Sequence, residues 1–195
     1  MKEITVKGYT AKELQDKARL KVLSDYSQIN VTDDWYQERV DEFKTRMEGY
    51  GIQCEVYFSG FYSQGDGACL VSDTIDTEVL VRRLFEEGKP IPEDCLLYSG
   101  DLTLRVEKVH AAWASRYDHE QTVAAVVYND SETLVGDHDM NALESLVTGW
   151  VREQCSQLYR DLEKDYERLT DDEAVLDRLV EDECYFTANG TIIPA

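Results

Sequence analysis

The least generic segment of the chain is Tyr57-Phe-Ser-Gly-Phe-Tyr-Ser-Gln-Gly-Asp-Gly-Ala-Cys69, where aromatics, two serines, Gln64 and Asp66 crowd around glycines. A glycine-rich loop can present backbone N–H groups to phosphate. That chemistry uses a Gly-Lys-Ser/Thr end opening a helix, and this segment offers acid and no lysine. What it suits is a sugar or peptide groove in which Tyr57, Phe61 and Tyr62 stack while Gln64 and Asp66 supply polar contacts. The competing and weightier reading is structural: a hairpin whose turn needs Gly65 and Gly67 and whose aromatics pack on helices.

Nucleophilic and metal chemistry find less support. His110, His119 and His138 are the only imidazoles, and there is no Gly-x-Ser-x-Gly elbow or local cysteine signature. His110 and His119, with Asp118 and Glu120 alongside, would suit zinc or manganese if paired strands brought them together, but histidines in an acidic loop are ordinarily surface residues. Asp137-His-Asp-Met-Asn141 imitates the start of a calcium loop, yet its sixth position is Ala142 and its twelfth Thr148. Asp137 or Asp139 is therefore read as a helix cap. Cys54, Cys69, Cys95, Cys155 and Cys184 are odd in number and contain no Cys-x-x-Cys pair, so they are read as reduced core thiols. No cofactor or metal is expected, and forty acids make chance carboxylate pairs too common to indicate glycoside hydrolysis.

Charge carries more information. Across 195 residues there are 40 Asp plus Glu against 20 Lys plus Arg, a net of −20. Such a chain is repelled by phosphate backbones and anionic lipid, which argues against direct nucleic-acid or membrane binding and favours a basic partner. Residues 1–50 carry ten acids and nine bases, 51–138 sixteen and six, and 139–184 fourteen and five. The last region places Asp161, Glu163, Asp165 and Glu167 before Asp171, Asp172 and Glu173. Carboxylates four apart on a helix lie ~6 Å apart along its axis, a row that could occupy the lysines and arginines that hold nucleic-acid phosphates. The plainer alternative is a solvated face.

These residues need elements to position them. Thr10-Ala-Lys-Glu13 has the form of a capping box and predicts a helix to about Tyr26, with Leu14, Ala18 and Val22 inward. Asp33 and Asp34 open a second, marked by Trp35, Arg39, Phe43 and Met47 and stopped at Gly49 or Gly51. Ile52–Phe58 and Ala68–Val71 alternate as strands around a tight reversal at Gln64–Gly67, and Asp76–Gly88 reads as a short helix. Leu102–Val109 and Thr122–Tyr128 form a further strand pair, joined by an irregular stretch carrying Trp113 and Tyr117. From Asp139 to about Leu169 an apolar stripe, Met140, Leu143, Val147, Trp150, Cys155, Leu158, Leu162, Tyr166 and Leu169, predicts one long helix. Thr170-Asp-Asp-Glu173 starts another, with Ala174, Leu176, Leu179 and Val180 inward. Residues 185–193 read as a closing strand or hairpin around Asn189-Gly190.

The opening helix, the entry Asn30-Val-Thr-Asp-Asp-Trp35, the run Phe58-Ser-Gly-Phe-Tyr-Ser-Gln-Gly-Asp-Gly-Ala-Cys69 and the ending Tyr185-Phe-Thr-Ala-Asn-Gly190 together resemble a group of small bacteriophage proteins. The similarity covers residues 10–75 and is loose beyond them. It implies phage origin and expression inside a bacterium, makes interference with a CRISPR or restriction complex the natural role, and transfers no catalytic residue.

The sequence thus predicts an α+β protein of one domain. Residues 1–50 form a helical pair, 51–138 a mainly β region with one helix, 139–184 long acidic helices and 185–195 a terminal strand. The small antiparallel sheet packs with the N-terminal helices and is extended by the acidic pair. The expected function is non-catalytic: a cytoplasmic acidic inhibitor of a bacterial nucleic-acid-binding defence complex, acting by mimicry or steric blocking through Asp161, Glu163, Asp165, Glu167, Asp171, Asp172 and Glu173. The alternative is a small phage enzyme or ligand-binding module centred on Tyr57–Cys69. A third reading is a homodimer built on the Met140–Leu169 stripe.

Overall fold

The computed structural model describes residues 7–109, 116–129 and 135–194. In chain order the elements are strand β1 (Tyr9–Thr10), helices α1 (Asp16–Tyr26) and α2 (Gln37–Glu48), strands β2 (Ile52–Ser59) and β3 (Gly67–Ile75), and helices α3 (Thr77–Glu86) and α4 (Glu93–Leu97). Strands β4 (Leu102–Lys108) and β5 (Val123–Asn129), helices α5 (Asp137–Thr170) and α6 (Asp172–Glu181) and strand β6 (Tyr185–Phe186) complete it. The class is α+β, as expected. The chain divides into two compact units, residues 38–162 and residues 1–37 with 163–195.

The unit of residues 38–162 holds an antiparallel sheet in the order β2-β3-β4-β5. Its strands form where the sequence alternates, and alternation sends Leu102, Leu104 and Val106 of β4 and Val123, Ala125 and Val127 of β5 into the core. The β2–β3 ladder shifts register between Gln53 and Glu55, and the buried Ser72 hydroxyl fills the irregularity by donating to Gln53 O at 2.6 Å. Helix α3 starts where Asp76 accepts the Val79 N–H at 3.0 Å and stops at Gly88, whose φ of 79° lets the Lys89 N–H reach back to Leu84 O. The sequence reading held one helix in this region; α4 is a second, too short to show a 3.6-residue period.

Helix α5 is 34 residues long, about 50 Å at 1.5 Å per residue. Its stripe residues Leu143, Val147, Trp150, Cys155, Leu158 and Leu162 are all buried within the chain. Met140, Tyr166 and Leu169 of the same stripe are half-buried. Asp137 and Asp139 lie in the first turn, where the Asp139 and Met140 amides bond to Gly136 O, and neither is the cap. Acids there still favour the helix through its dipole.

In the other unit, α1, α6 and β6 share an apolar cluster that includes Leu14, Ala18, Val22, Val175, Leu179 and Phe186. The Thr10–Glu13 box does form: the Thr10 N–H donates to Glu13 Oε2 at 2.9 Å. It closes a single 3-10 turn, Ala11–Glu13, and Leu14 then turns extended, so the helix proper waits until Asp16. The local hydrogen bonds are satisfied within one turn and do not require continuation. The predicted hairpin at Asn189-Gly190 is present, with Gly190 at φ 75° and Phe186 bridged to Ile192. Strand β6 also pairs with β1, a contact between chain ends that no local pattern announces.

Candidate functional site

The segment 57–69 is not a tight reversal. Ser59 pairs with Gly67, leaving residues 60–66 as a loop between β2 and β3. Gly60 and Gly65 have φ of 52° and 100°, but Gly67 is an ordinary strand residue. Its side of the strand is closed by residues 118 and 119: a Cβ there would lie 2.9 Å from His119 Cα. Glycine is needed for close approach rather than for a left-handed turn. A Cβ on Gly65 would meet the Tyr117 ring at 2.8 Å.

Asp66 organises this loop. Its carboxylate accepts the N–H groups of Tyr62 at 2.8 Å and Ser63 at 2.6 Å, the Asx-turn role of a short acid near glycines. Phe61 stacks on Tyr159 of α5 with ring centres 5.4 Å apart. Tyr57, Tyr62 and Gln64 point outward, and Tyr62 is 79% exposed. The five residues predicted to share a groove therefore separate: Phe61 joins the α5 packing, Asp66 holds the backbone, and the other three face solvent.

Behind the loop lies a polar cluster. Lys108 Nζ donates to Tyr117 O at 2.8 Å, Asp118 Oδ1 at 3.0 Å and Thr122 Oγ1 at 3.4 Å, using the three donors of an ammonium. Burial alone would lower the Lys108 pKa, but the bond to Asp118 and the nearby Cys69 outweigh it and hold it above the ordinary lysine value. Lys108 thus clamps residues 117–122 onto β4. Burial pushes the Cys69 thiol up, and Lys108 offsets only part of that. The same cause raises Cys54 and Cys95 to about 11 and Cys155 to about 12. At neutral pH these thiols carry their protons, the state opposite to that of a nucleophilic cysteine. All five cysteines are free; Cys69, Cys95 and Cys155 are buried as expected, whereas Cys54 and Cys184 are half-buried.

His119 Nδ1 accepts the Gln121 N–H at 3.1 Å and lies 3.1 Å from Glu120 Oε2. No group of three or more His, Cys, Asp or Glu suited to a metal occurs among the described residues, and His110 and Trp113 lie outside them. Residues 137–141 are the first turns of α5 and form no calcium loop.

The acidic series is not one row. At 100° per residue, Asp161 and Asp165 share one side of α5 while Glu163 and Glu167 share another, because a spacing of two reverses direction on a helix. Several of these acids have internal work. Asp161 accepts from Gln157 Nε2 at 2.9 Å, Asp165 pairs with Arg168 at 3.6 Å, and Asp171 caps α6 by accepting the Glu173 N–H at 2.9 Å. Lys12 bonds Asp177 and Glu173, which together hold its pKa above the ordinary lysine value. Glu163, Glu167 and Asp172 have no ion pair among the described residues.

Two constellations are invisible to motif reading. Glu144, Thr148 and Arg152, spaced four apart on α5, cover the outer edge of β5: the Val127 N–H donates to Glu144 at 2.8 Å, the Ala125 N–H to Thr148 Oγ1 at 2.9 Å, and Arg152 Nε to Val123 O at 3.1 Å. The polar i,i+4 spacing was legible; the strand it would meet was not. On the outward face of the sheet, Tyr128 donates to Glu107 at 3.3 Å while the Arg105 guanidinium lies 5.4 Å from the Tyr128 ring centre. Tyr57 likewise donates to Glu55.

The profile of one protein family, a domain of unknown function (DUF8835), matches residues 35–172. The chain belongs to this family. The matched segment contains the whole sheet, the 57–69 loop and α5. No curated protein and no solved structure matches the chain. Among the described residues no helix is long and apolar enough to cross a membrane.

Proposed function

We propose that the chain is a binding protein for a basic partner, and that its setting is the one the phage resemblance implies: inhibition, in the bacterial cytoplasm, of a nucleic-acid-binding defence complex. The observation that carries this reading is the net charge of −20 together with Glu163, Glu167 and Asp172, which have no compensating cation among the described residues. Uncompensated carboxylates raise the local potential, attract cationic surfaces and speed encounter. Asp161, Asp165, Asp171 and Glu173 add to the field while bonded to neighbours within the chain. Raised thiol pKa values and an Asp66 engaged by its own loop give the enzymatic alternative no comparable support.

The test is affinity capture from bacterial lysate at low and at high salt, with the native chain and with the triple variant Glu163→Lys, Glu167→Lys, Asp172→Lys. These three are chosen because none caps a helix or holds Lys12, so folding is expected to survive, as an unchanged circular dichroism spectrum would report. The expected result is a captured basic protein or ribonucleoprotein that is lost at high salt and lost with the triple variant. Capture indifferent to both changes overturns the proposal.

A further inference from the structure

The outward face of the sheet contains the same chemical arrangement twice, once complete and once lacking a cation. In the register of β2 with β3 and of β3 with β4, Glu55 stands opposite Val71, and the bridge Ser72↔Val106 places Val71 beside Glu107. Glu55, Val71 and Glu107 therefore form one row across three strands on one face, with the two carboxylates roughly 10 Å apart at ~4.8 Å per strand. Glu55, Val71, Asp73 and Glu107 line a cavity of 560 Å³ whose wall carries three carboxylates and one ammonium, that of Lys108.

At one end of the face, the Tyr128 hydroxyl bonds Glu107 and the Arg105 guanidinium lies over the Tyr128 ring. At the other, the Tyr57 hydroxyl bonds Glu55, and Tyr57 is 41% exposed. The cation–ring contacts among the described residues fall on Tyr9, Phe43 and Tyr128, leaving Tyr57 without one. The hydroxyl bond to Glu55 is the first cause of a raised Tyr57 pKa, so a carboxylate is fixed beside the ring. A flat ring beside a fixed carboxylate suits a guanidinium, which stacks and hydrogen-bonds in one plane, better than a compact, strongly hydrated ammonium. Strand β2 is also the edge of the sheet, with β3 as its single neighbour. An extended segment can align there while sending alternate side chains over Tyr57 and into the cavity.

We infer that Tyr57 and Glu55 form an arginine-docking site for an extended basic segment of a partner protein, with Asp73 and Glu107 receiving a second cation. This rests on the reading of the chain as a binder of basic partners and names where one side chain of that partner sits. Nucleic acid is a poor occupant, because the row is acidic and the whole chain repels phosphate.

The experiment titrates the full-length, isotopically labelled protein with a capped Arg-Val-Arg-Val peptide and follows amide shifts. Matched peptides carry citrulline, which keeps the shape without charge, or lysine. The expected result is saturable shifts centred on residues 55–57, 71 and 107, absent with citrulline and weaker with lysine. Tyr57→Leu and, independently, Glu55→Gln should each weaken binding about three- to tenfold, whereas Tyr62→Leu, at an exposed loop tyrosine, leaves it unchanged. Shifts spread over the acidic helices, equal binding of citrulline, or insensitivity to both β2 variants overturns the site. Failure of the wider reading looks different: the native chain then captures no salt-sensitive partner, whereas a wrong site leaves that capture intact in the Tyr57→Leu, Glu55→Gln double variant.

Discussion

At the scale of single residues, the chain uses its unusual side chains to close local geometry. Gly67 faces the backbone of His119, which cannot retreat as a flexible side chain would. Gly67→Ala should therefore cost about 1–3 kcal/mol by overpacking, read from urea denaturation; a neutral result would mean that the 116–122 loop shifts freely. The cysteines give a pH prediction. In the folded state Cys155 loses its proton at about 12, whereas the ordinary value is 9.0. Between those values the unfolded chain gives up the proton first, so stability falls as pH rises from about 9 toward 12. Cys155→Ala should flatten that fall relative to the native chain. Equal slopes in both would place the alkaline loss elsewhere.

At the scale of elements, the β5 edge is the instructive case. A strand edge exposes amides that invite pairing with another chain. Here α5 supplies an acceptor, a second acceptor and a donor at successive turns, so a helix stands where a fifth strand would. Thr148→Val keeps the shape and removes one acceptor. It should cost about 1 kcal/mol and speed hydrogen exchange at the Ala125 amide more than elsewhere in β5. Unchanged protection at Ala125 would show that the edge needs no such cover. The other edge of the sheet is β2, and it is the edge to which the arginine site is assigned.

At the scale of the whole molecule, a surplus of one sign of charge sets up self-repulsion. A net charge of −20 disfavours the compact state, and raising ionic strength from about 0.01 to 0.15 M shortens the screening length from ~30 to ~8 Å. Thermal unfolding followed across that range should shift upward by several degrees. A downward shift would mean that pairs such as Lys12 with Glu173 and Asp177 outweigh the repulsion. Salt thus pulls two ways, steadying the fold while weakening a charge-steered partner, and the two effects separate when stability and capture are measured in the same buffers.

The sequence by itself determined whatever depends on neighbours within a few residues. The strands of the four-stranded sheet, the α3 stop at Gly88, the long α5 with its largely buried stripe and the Asn189-Gly190 turn were legible, because periodicity and turn chemistry are local. So was the charge, which is a sum and needs no geometry. The tertiary structure decided everything that depends on who meets whom. It placed Gly67 against His119, spent Asp66 on its own loop, gave Asp165 and Glu173 cationic neighbours, and laid Glu144, Thr148 and Arg152 along β5. It also set Glu55, Val71 and Glu107 in one row. Their sequence positions are far apart, and only the register of paired strands, fixed by which faces are buried, brings such residues within reach of one ligand.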